Sequence, residues 1–175
     1  MSRRDMPEAP FSYCPNCARP ATMSRGREFR CAACAFRYFH NVASAVAALI
    51  VCGGQLLTTV RAHQPAQGTL DLPGGFVEPG ETAEQALARE LAEELGWAAL
   101  PAPPRYQCSV PNTYPYATVT YATLDSFFLI ECAACPAVQV GAEIETALWL
   151  PRQDLDVTRF GFTSVRTALA LLDNI

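Results

Sequence analysis

The side chains best equipped for chemistry crowd into one stretch. Positions 89 to 94 read Arg89-Glu90-Leu91-Ala92-Glu93-Glu94, with Gly74-Gly75 and Glu81 ahead of them and Gly96-Trp97 behind. At about 100° per residue, Glu90, Glu93 and Glu94 fall on one face of a helix. Carboxylates this close repel one another, so a divalent cation or protons must neutralise them. An all-oxygen donor set suits magnesium or manganese. A solvated glutamate face is the plain alternative, and residue types alone leave the two level.

A second set of ligands is soft. Cys14-Pro-Asn-Cys17 is followed, after 13 residues, by Cys31-Ala-Ala-Cys34. Each pair makes a knuckle, and four thiolates close a tetrahedral structural zinc site; two disulfides or a redox pair are the alternative. Residues 11–40 hold little apolar bulk, so Zn2+ supplies much of their folding energy. His40 lies beyond a ligand set already filled and reads as linker packing. Cys132-Ala-Ala-Cys135 has no fourth pair to complete a site and reads as a coincidence of small residues, while Cys52 and Cys108 read as core.

Local signals say which elements position these groups. Pro79-Gly80 forces a turn, Thr82 is a good N-cap, and Gln85 three residues on completes a capping box. Leu87, Leu91 and Leu95 then form an apolar stripe beside the carboxylate face. Strands are predicted at 43–52 and 55–61 around a Gly53-Gly54 turn, and at 69–72 leading into the glycine pair. Further strands are predicted at 106–110, 118–131 and 148–150. A last helix at 163–172 carries Val165, Ala168, Leu169 and Leu172 on one face. Strands flanking a central helix and closed by a second helix predict a mixed sheet between helices. The organisation is a tail at 1–10, a zinc ribbon at 11–40 and an α/β domain at 41–175.

The spacing Gly75, five residues, Glu81, seven residues, Arg89-Glu90-Leu91-x-Glu93-Glu94-x-Gly96 resembles the box of the Nudix hydrolases at every defined polar and glycine position. Trp97 departs softly, where a smaller aliphatic is usual. The resemblance implies an α/β/α sandwich and cleavage of a phosphoanhydride in a nucleoside diphosphate linked to another moiety. It also implies that Glu90 and Glu94 bind Mg2+ or Mn2+, with Glu93 helping and the Gly74 carbonyl completing the coordination. Arg89 orients Glu90, and Glu81 braces the loop. The catalytic base is either Glu90 or a glutamate from a later loop, Glu143 first and Glu145 in reserve.

Residues outside the box choose the substrate. The segment Ser109-Val110-Pro111-Asn112-Thr113-Tyr114-Pro115-Tyr116 resembles the signature of the NADH pyrophosphatases, the zinc-ribbon branch of the family. It keeps Ser109, Pro111, Tyr114 and Pro115 but places Val110 and Asn112 where Gln and Trp are usual. That implies a dinucleotide such as NADH or NAD, ADP-ribose or FAD, with Tyr114, Tyr116 and Ser109 at the substrate and Tyr121 a further stacking ring. A nucleoside triphosphate pyrophosphatase and a non-catalytic ligand-sensing or nucleic-acid-binding protein are the competing readings.

Composition bounds these readings. The chain has 175 residues, half of them apolar, enough for one buried domain and a small appendage. A net charge of −4 argues against a broad grip on nucleic acid. The basic charge is local: Arg3, Arg4, Arg19, Arg25, Arg27, Arg30 and Arg37 surround the ribbon. They permit nucleic-acid contact, but a brace or a homodimer contact is the favoured role. No signal-like hydrophobic region follows the start, and no run reaches the roughly 20 apolar residues of a membrane span. Cysteines paired in C-x-x-C units without such a signal point to a reducing cytoplasm.

Overall fold

The computed structural model describes residues 11–20 and 28–172. The expected tail at 1–10 and Arg3, Arg4, Arg25 and Arg27 lie outside the described residues, as does the side chain of Leu172. The chain forms two compact units, Met1–Val42 and Ala43–Ile175.

In the first unit, β1 (Glu28–Arg30) pairs antiparallel with β2 (Arg37–Phe39), Phe29 opposite Tyr38. Its core is Phe29 with Cys14 and Cys31, and Phe11 packs edge-on against Phe29 and Tyr38 at 5.6 and 5.1 Å. So few apolar residues cannot offset the ordering entropy of such a segment without a cross-link.

The second unit is built on a seven-stranded mixed sheet. Strands β3 (Ala43–Cys52) and β4 (Gln55–Arg61) turn at Gly53-Gly54 as the sequence predicts. β5 (Leu70–Asp71) pairs with β4, and β6 (Gly74–Phe76) pairs with β3. Helix α1 (Ala83–Leu95) follows, then the long hairpin β7 (Arg105–Tyr116) and β8 (Val119–Cys132), β9 (Ile144–Pro151) and α2 (Thr163–Leu172). β8 runs parallel to β3 at the centre, and β7 forms the outer edge.

Two cores lie on the two faces of the sheet. Leu87, Leu91 and Leu95 of α1 pack with Val46, Ile50 and Ile130 on one side. Val165, Ala168 and Leu169 of α2 pack with Leu49, Phe127 and Leu129 on the other. Alternate residues of β3 and β8 feed opposite faces, which is why these central strands read as continuous apolar runs. The architecture is the expected α/β/α sandwich.

The sequence reading breaks the segment 106–116 at its prolines, whereas the structure runs one strand through it. The reason is its place: β7 pairs only with β8, so the missing N–H of Pro111 and Pro115 disturbs no second ladder. A second correction concerns the cysteines. Parallel pairing sets Cys52 beside Cys132, and the turn past the end of β8 brings Cys135 back to Cys52, with which it forms a disulfide. Cys52 is therefore not plain core, and the third C-x-x-C pair is not mere coincidence. No helix among the described residues is long and apolar enough to cross a membrane.

Candidate functional site

The four ribbon cysteines converge. Their sulfurs all lie within 4.8 Å of one another, with Cys14 to Cys34 and Cys17 to Cys31 each at 3.6 Å. A tetrahedron with Zn–S bonds of about 2.3 Å has edges of about 3.8 Å, so the spacing fits a single Zn2+. The two knuckles are built alike. The Ala18 N–H donates to the Cys14 carbonyl and the Cys14 N–H to the Arg19 carbonyl; Ala35 to Cys31 and Cys31 to Phe36 repeat the pattern. The Asn16 amide beside Cys34 helps hold that thiol down to about 6, favouring the thiolate a metal needs.

The second constellation begins at the N-terminus of α1. Thr82 Oγ1 accepts from the Gln85 N–H at 3.2 Å, and Gln85 Oε1 accepts from the Thr82 N–H at 2.8 Å. The helix ends at Gly96, whose φ of 71° is the left-handed cap that glycine takes without strain. Between these caps the buried leucine stripe fixes the rotation of the helix and aims Glu90 and Glu94 inward, each 8% exposed.

Arg89 organises the acids. Its Nε and Nη2 donate to the two oxygens of Glu81 at 2.8 and 3.1 Å. Nη1 donates to Glu90 at 2.8 Å and Glu93 at 3.3 Å, and Nη2 also to the Phe76 carbonyl. The guanidinium thus ties the loop before the helix to the glutamates on it. Glu94 is held separately, accepting the Gly74 N–H at 2.9 Å. A Cβ at Gly75 would displace the Glu90 carboxylate, and one at Gly74, where φ is +144°, would run into the Val46 carbonyl.

Burial pushes the Glu90 carboxyl above its ordinary range, with Arg89 pulling the other way. Burial likewise raises Glu94 to about 8, and the neighbouring Glu90 adds to the shift. Such a cluster of desolvated acids is a site for cations. Among the described residues only the cysteine set brings three or more ligand atoms within 4.8 Å of one another.

The glutamates line a cavity of about 740 Å³. Tyr114, Tyr116 and Glu143 line it too, as the sequence suggests. Ser109 and Glu145 do not; both are exposed and away from the lining. Strand alternation accounts for Ser109: Asn112, Tyr114 and Tyr116 share one face of β7, whereas Ser109, Pro111 and Pro115 belong to the other. A smaller apolar recess of about 410 Å³ lies among Ala43, Phe76, Tyr114, Tyr116 and Tyr121. Tyr114 and Tyr116 stack there with ring centres 6.4 Å apart.

The cavity floor was not legible in the sequence. Arg61 of β4 pairs with Asp71 of β5 at 2.9 Å, and Asp125 of β8 accepts from Asn112, Thr123 and Ser164. The one available signal was a charge inside an apolar strand, Arg61 and Asp71 each closing a run of apolar or small residues. Trp97 fills the core and donates its Nε1–H to the Ala137 carbonyl at 2.8 Å, so the departure from a small residue is accommodated by a partner.

Comparisons with known proteins agree with this geometry. The chain is 31% identical to the NAD-capped RNA hydrolase NudC of Stutzerimonas stutzeri over 138 residues, 78% of this chain and 47% of that protein. It is 34% identical to the 8-oxo-dGTP diphosphatase of Haemophilus influenzae over 110 residues, 61% of this chain and 74% of the relative. The chain spans about half the length of the NAD-capped RNA hydrolases it matches. Among solved structures, the MutT Nudix hydrolase from Burkholderia pseudomallei superimposes with a TM-score of 0.63 at 28% identity, covering 75% of this chain and 98% of that one. The NUDIX domain profile matches residues 41–169, and the chain belongs to the Nudix family.

Proposed function

We propose that the chain is a divalent-metal-dependent hydrolase that cleaves the phosphoanhydride of a dinucleotide-type substrate, such as NADH or NAD, ADP-ribose or FAD, into two monophosphates. One observation carries the reading: the Arg89-braced glutamates line the same cavity as Tyr114 and Tyr116, whose rings also border the smaller aromatic recess. A diphosphate at the acids and a base ring at the tyrosines can therefore belong to one molecule.

Glu90, Glu93 and Glu94 hold Mg2+ or Mn2+, and the family resemblance adds the Gly74 carbonyl as a further ligand. When bound, the ion screens the diphosphate and lowers the pKa of water for in-line attack at phosphorus. Arg89 keeps Glu90 and Glu93 oriented. Glu143 or Glu90 takes the proton as the water oxygen bonds to phosphorus and the bridging P–O bond breaks. Cys14, Cys17, Cys31 and Cys34 hold a structural Zn2+, and the ribbon serves as a brace or homodimer contact.

The test is a product-resolved hydrolysis screen of the zinc-loaded protein with Mg2+ or Mn2+ against these dinucleotides and the common triphosphates. Two mononucleotides from a dinucleotide support the reading. Inorganic pyrophosphate from a triphosphate instead supports a triphosphate pyrophosphatase, the reading favoured by the likeness to the 8-oxo-dGTP diphosphatase. Binding without turnover leaves a ligand sensor.

A further inference from the structure

Two guanidiniums, Arg61 and Arg89, face seven carboxylates around the cavity. A nucleotide entering it brings more negative charge, so the cations that remain able to donate decide where its phosphates lie. Arg89 has no donor left: its five hydrogen bonds to Glu81, Glu90, Glu93 and the Phe76 carbonyl match its five N–H groups.

Arg61 is different. Nε donates to the Pro65 carbonyl at 2.7 Å, Nη1 to Asp71 at 2.9 Å, and Nη2 to the Tyr114 hydroxyl oxygen at 3.3 Å. Among the described residues three of its five N–H groups are used, leaving one on each terminal nitrogen. The group is also held by its face, with its central carbon 5.0 Å from the Phe162 ring centre and 5.9 Å from that of Tyr114. Phe162 and Tyr114 are themselves stacked at 5.6 Å. Its side chain is 20% exposed, so little ordering entropy or desolvation remains to oppose a ligand.

The carboxylates nearby already have donors of their own: Asp125 accepts from Asn112, Thr123 and Ser164, and the second oxygen of Asp71 accepts the Leu72 N–H. We propose that Arg61 is a specificity-determining residue whose two remaining N–H groups donate to a phosphate oxygen of the bound nucleotide. Tyr114 then joins two subsites, its ring facing the aromatic recess and its hydroxyl helping to orient the phosphate-binding guanidinium. The inference rests on the reading of this cavity as a nucleotide site.

The experiment is calorimetric titration of the full-length zinc-loaded protein with ADP, AMP and adenosine in Mg2+, for wild type, Arg61→Gln and Arg61→Lys. Losing a charge-assisted pair of hydrogen bonds should weaken ADP about ten- to hundredfold in Arg61→Gln and leave adenosine within about twofold. Arg61→Lys, which keeps the charge without the fork, should fall between. A loss shared by AMP assigns the contact to the phosphate next to the ribose; a loss confined to ADP assigns it to the outer phosphate. Equal ADP affinity in wild type and Arg61→Gln overturns the proposal, and so do equal losses for ADP and adenosine, the mark of a merely structural role. Should Arg61→Gln fail to fold, the same comparison is read from Arg61→Lys. ADP contains no bond to a second moiety, so a failed hydrolysis screen and a failed Arg61 assignment remain distinct results.

Discussion

The two sets of acidic ligands in this chain, the ribbon cysteines and the α1 glutamates, are built in opposite ways. The thiols come from two copies of one knuckle, already lie at tetrahedral spacing, and are backed by a core of three residues. The glutamates sit on a capped helix over a large core, Glu90 and Glu93 bridged by Arg89 and Glu94 held by the Gly74 N–H. On the proposed reading, one set uses its metal for folding and the other for a substrate. A closed thiolate tetrahedron has no coordination position left for a ligand, whereas oxygen donors around an open cavity do.

Substitutions should separate the two. The largest effect is expected on turnover: Glu94→Gln or Glu90→Gln should slow hydrolysis on the order of 10³-fold, about 4 kcal/mol of barrier, with circular dichroism unchanged. Retained activity would sink the assignment of the glutamates. In the ribbon, Cys31→Ala should abolish zinc content and collapse the chemical-shift dispersion of Phe29 and Tyr38, while the melting transition of residues 43–175 stays in place. A joint loss of both units would show that their folding is not separable.

Arg89→Lys should cost roughly 10- to 100-fold in kcat, because an ammonium cannot span Glu81, Glu90 and Glu93 together. Rates as fast as wild type would make the bracing incidental.

The acids should also give the unliganded protein a pH signature. Burial raises Glu94 from 4.5 to about 8, so the folded form holds a proton that the unfolded chain releases between those values. The stability this contributes is present below the lower value and is lost as the pH rises through the upper one. Without Mg2+ the melting temperature should therefore fall from pH 5 to pH 8, and Mg2+ should raise it most at pH 8. A flat profile would place the acids in a better-solvated setting. The smallest contrast lies along β7: Tyr116→Ala should raise KM about five- to tenfold, in line with the stacking of one base. Ser109→Ala, on the other face, should leave kinetics within about twofold.

What the sequence disclosed follows the range of each signal. The caps of α1, the leucine stripe, the glycine hairpin and both cysteine knuckles are patterns within a few neighbours, and each stands where it was expected. The cavity floor is another matter. Asp125 takes its partners from 13 and 39 residues away, and Arg61 meets Tyr114 across 53. No local pattern announces such pairs. The disulfide between Cys52 and Cys135 spans 83 residues and depends on a parallel register that only the assembled sheet defines. The substrate segment carries the sharpest lesson. The positions it shares with the NADH pyrophosphatase signature include Ser109, Pro111 and Pro115, on the face turned from the cavity, while the altered Asn112 lies on the cavity side.

The prolines of that segment also bear on how the protein behaves in a crowd of its own copies. An outer strand normally offers a row of free amide donors along which a foreign strand can zip, the route to sheet-to-sheet aggregation. With Pro111 and Pro115 interrupting that row, the rim of the sheet is a poor template, and its aromatic mouth can remain exposed without inviting another chain to pair alongside it.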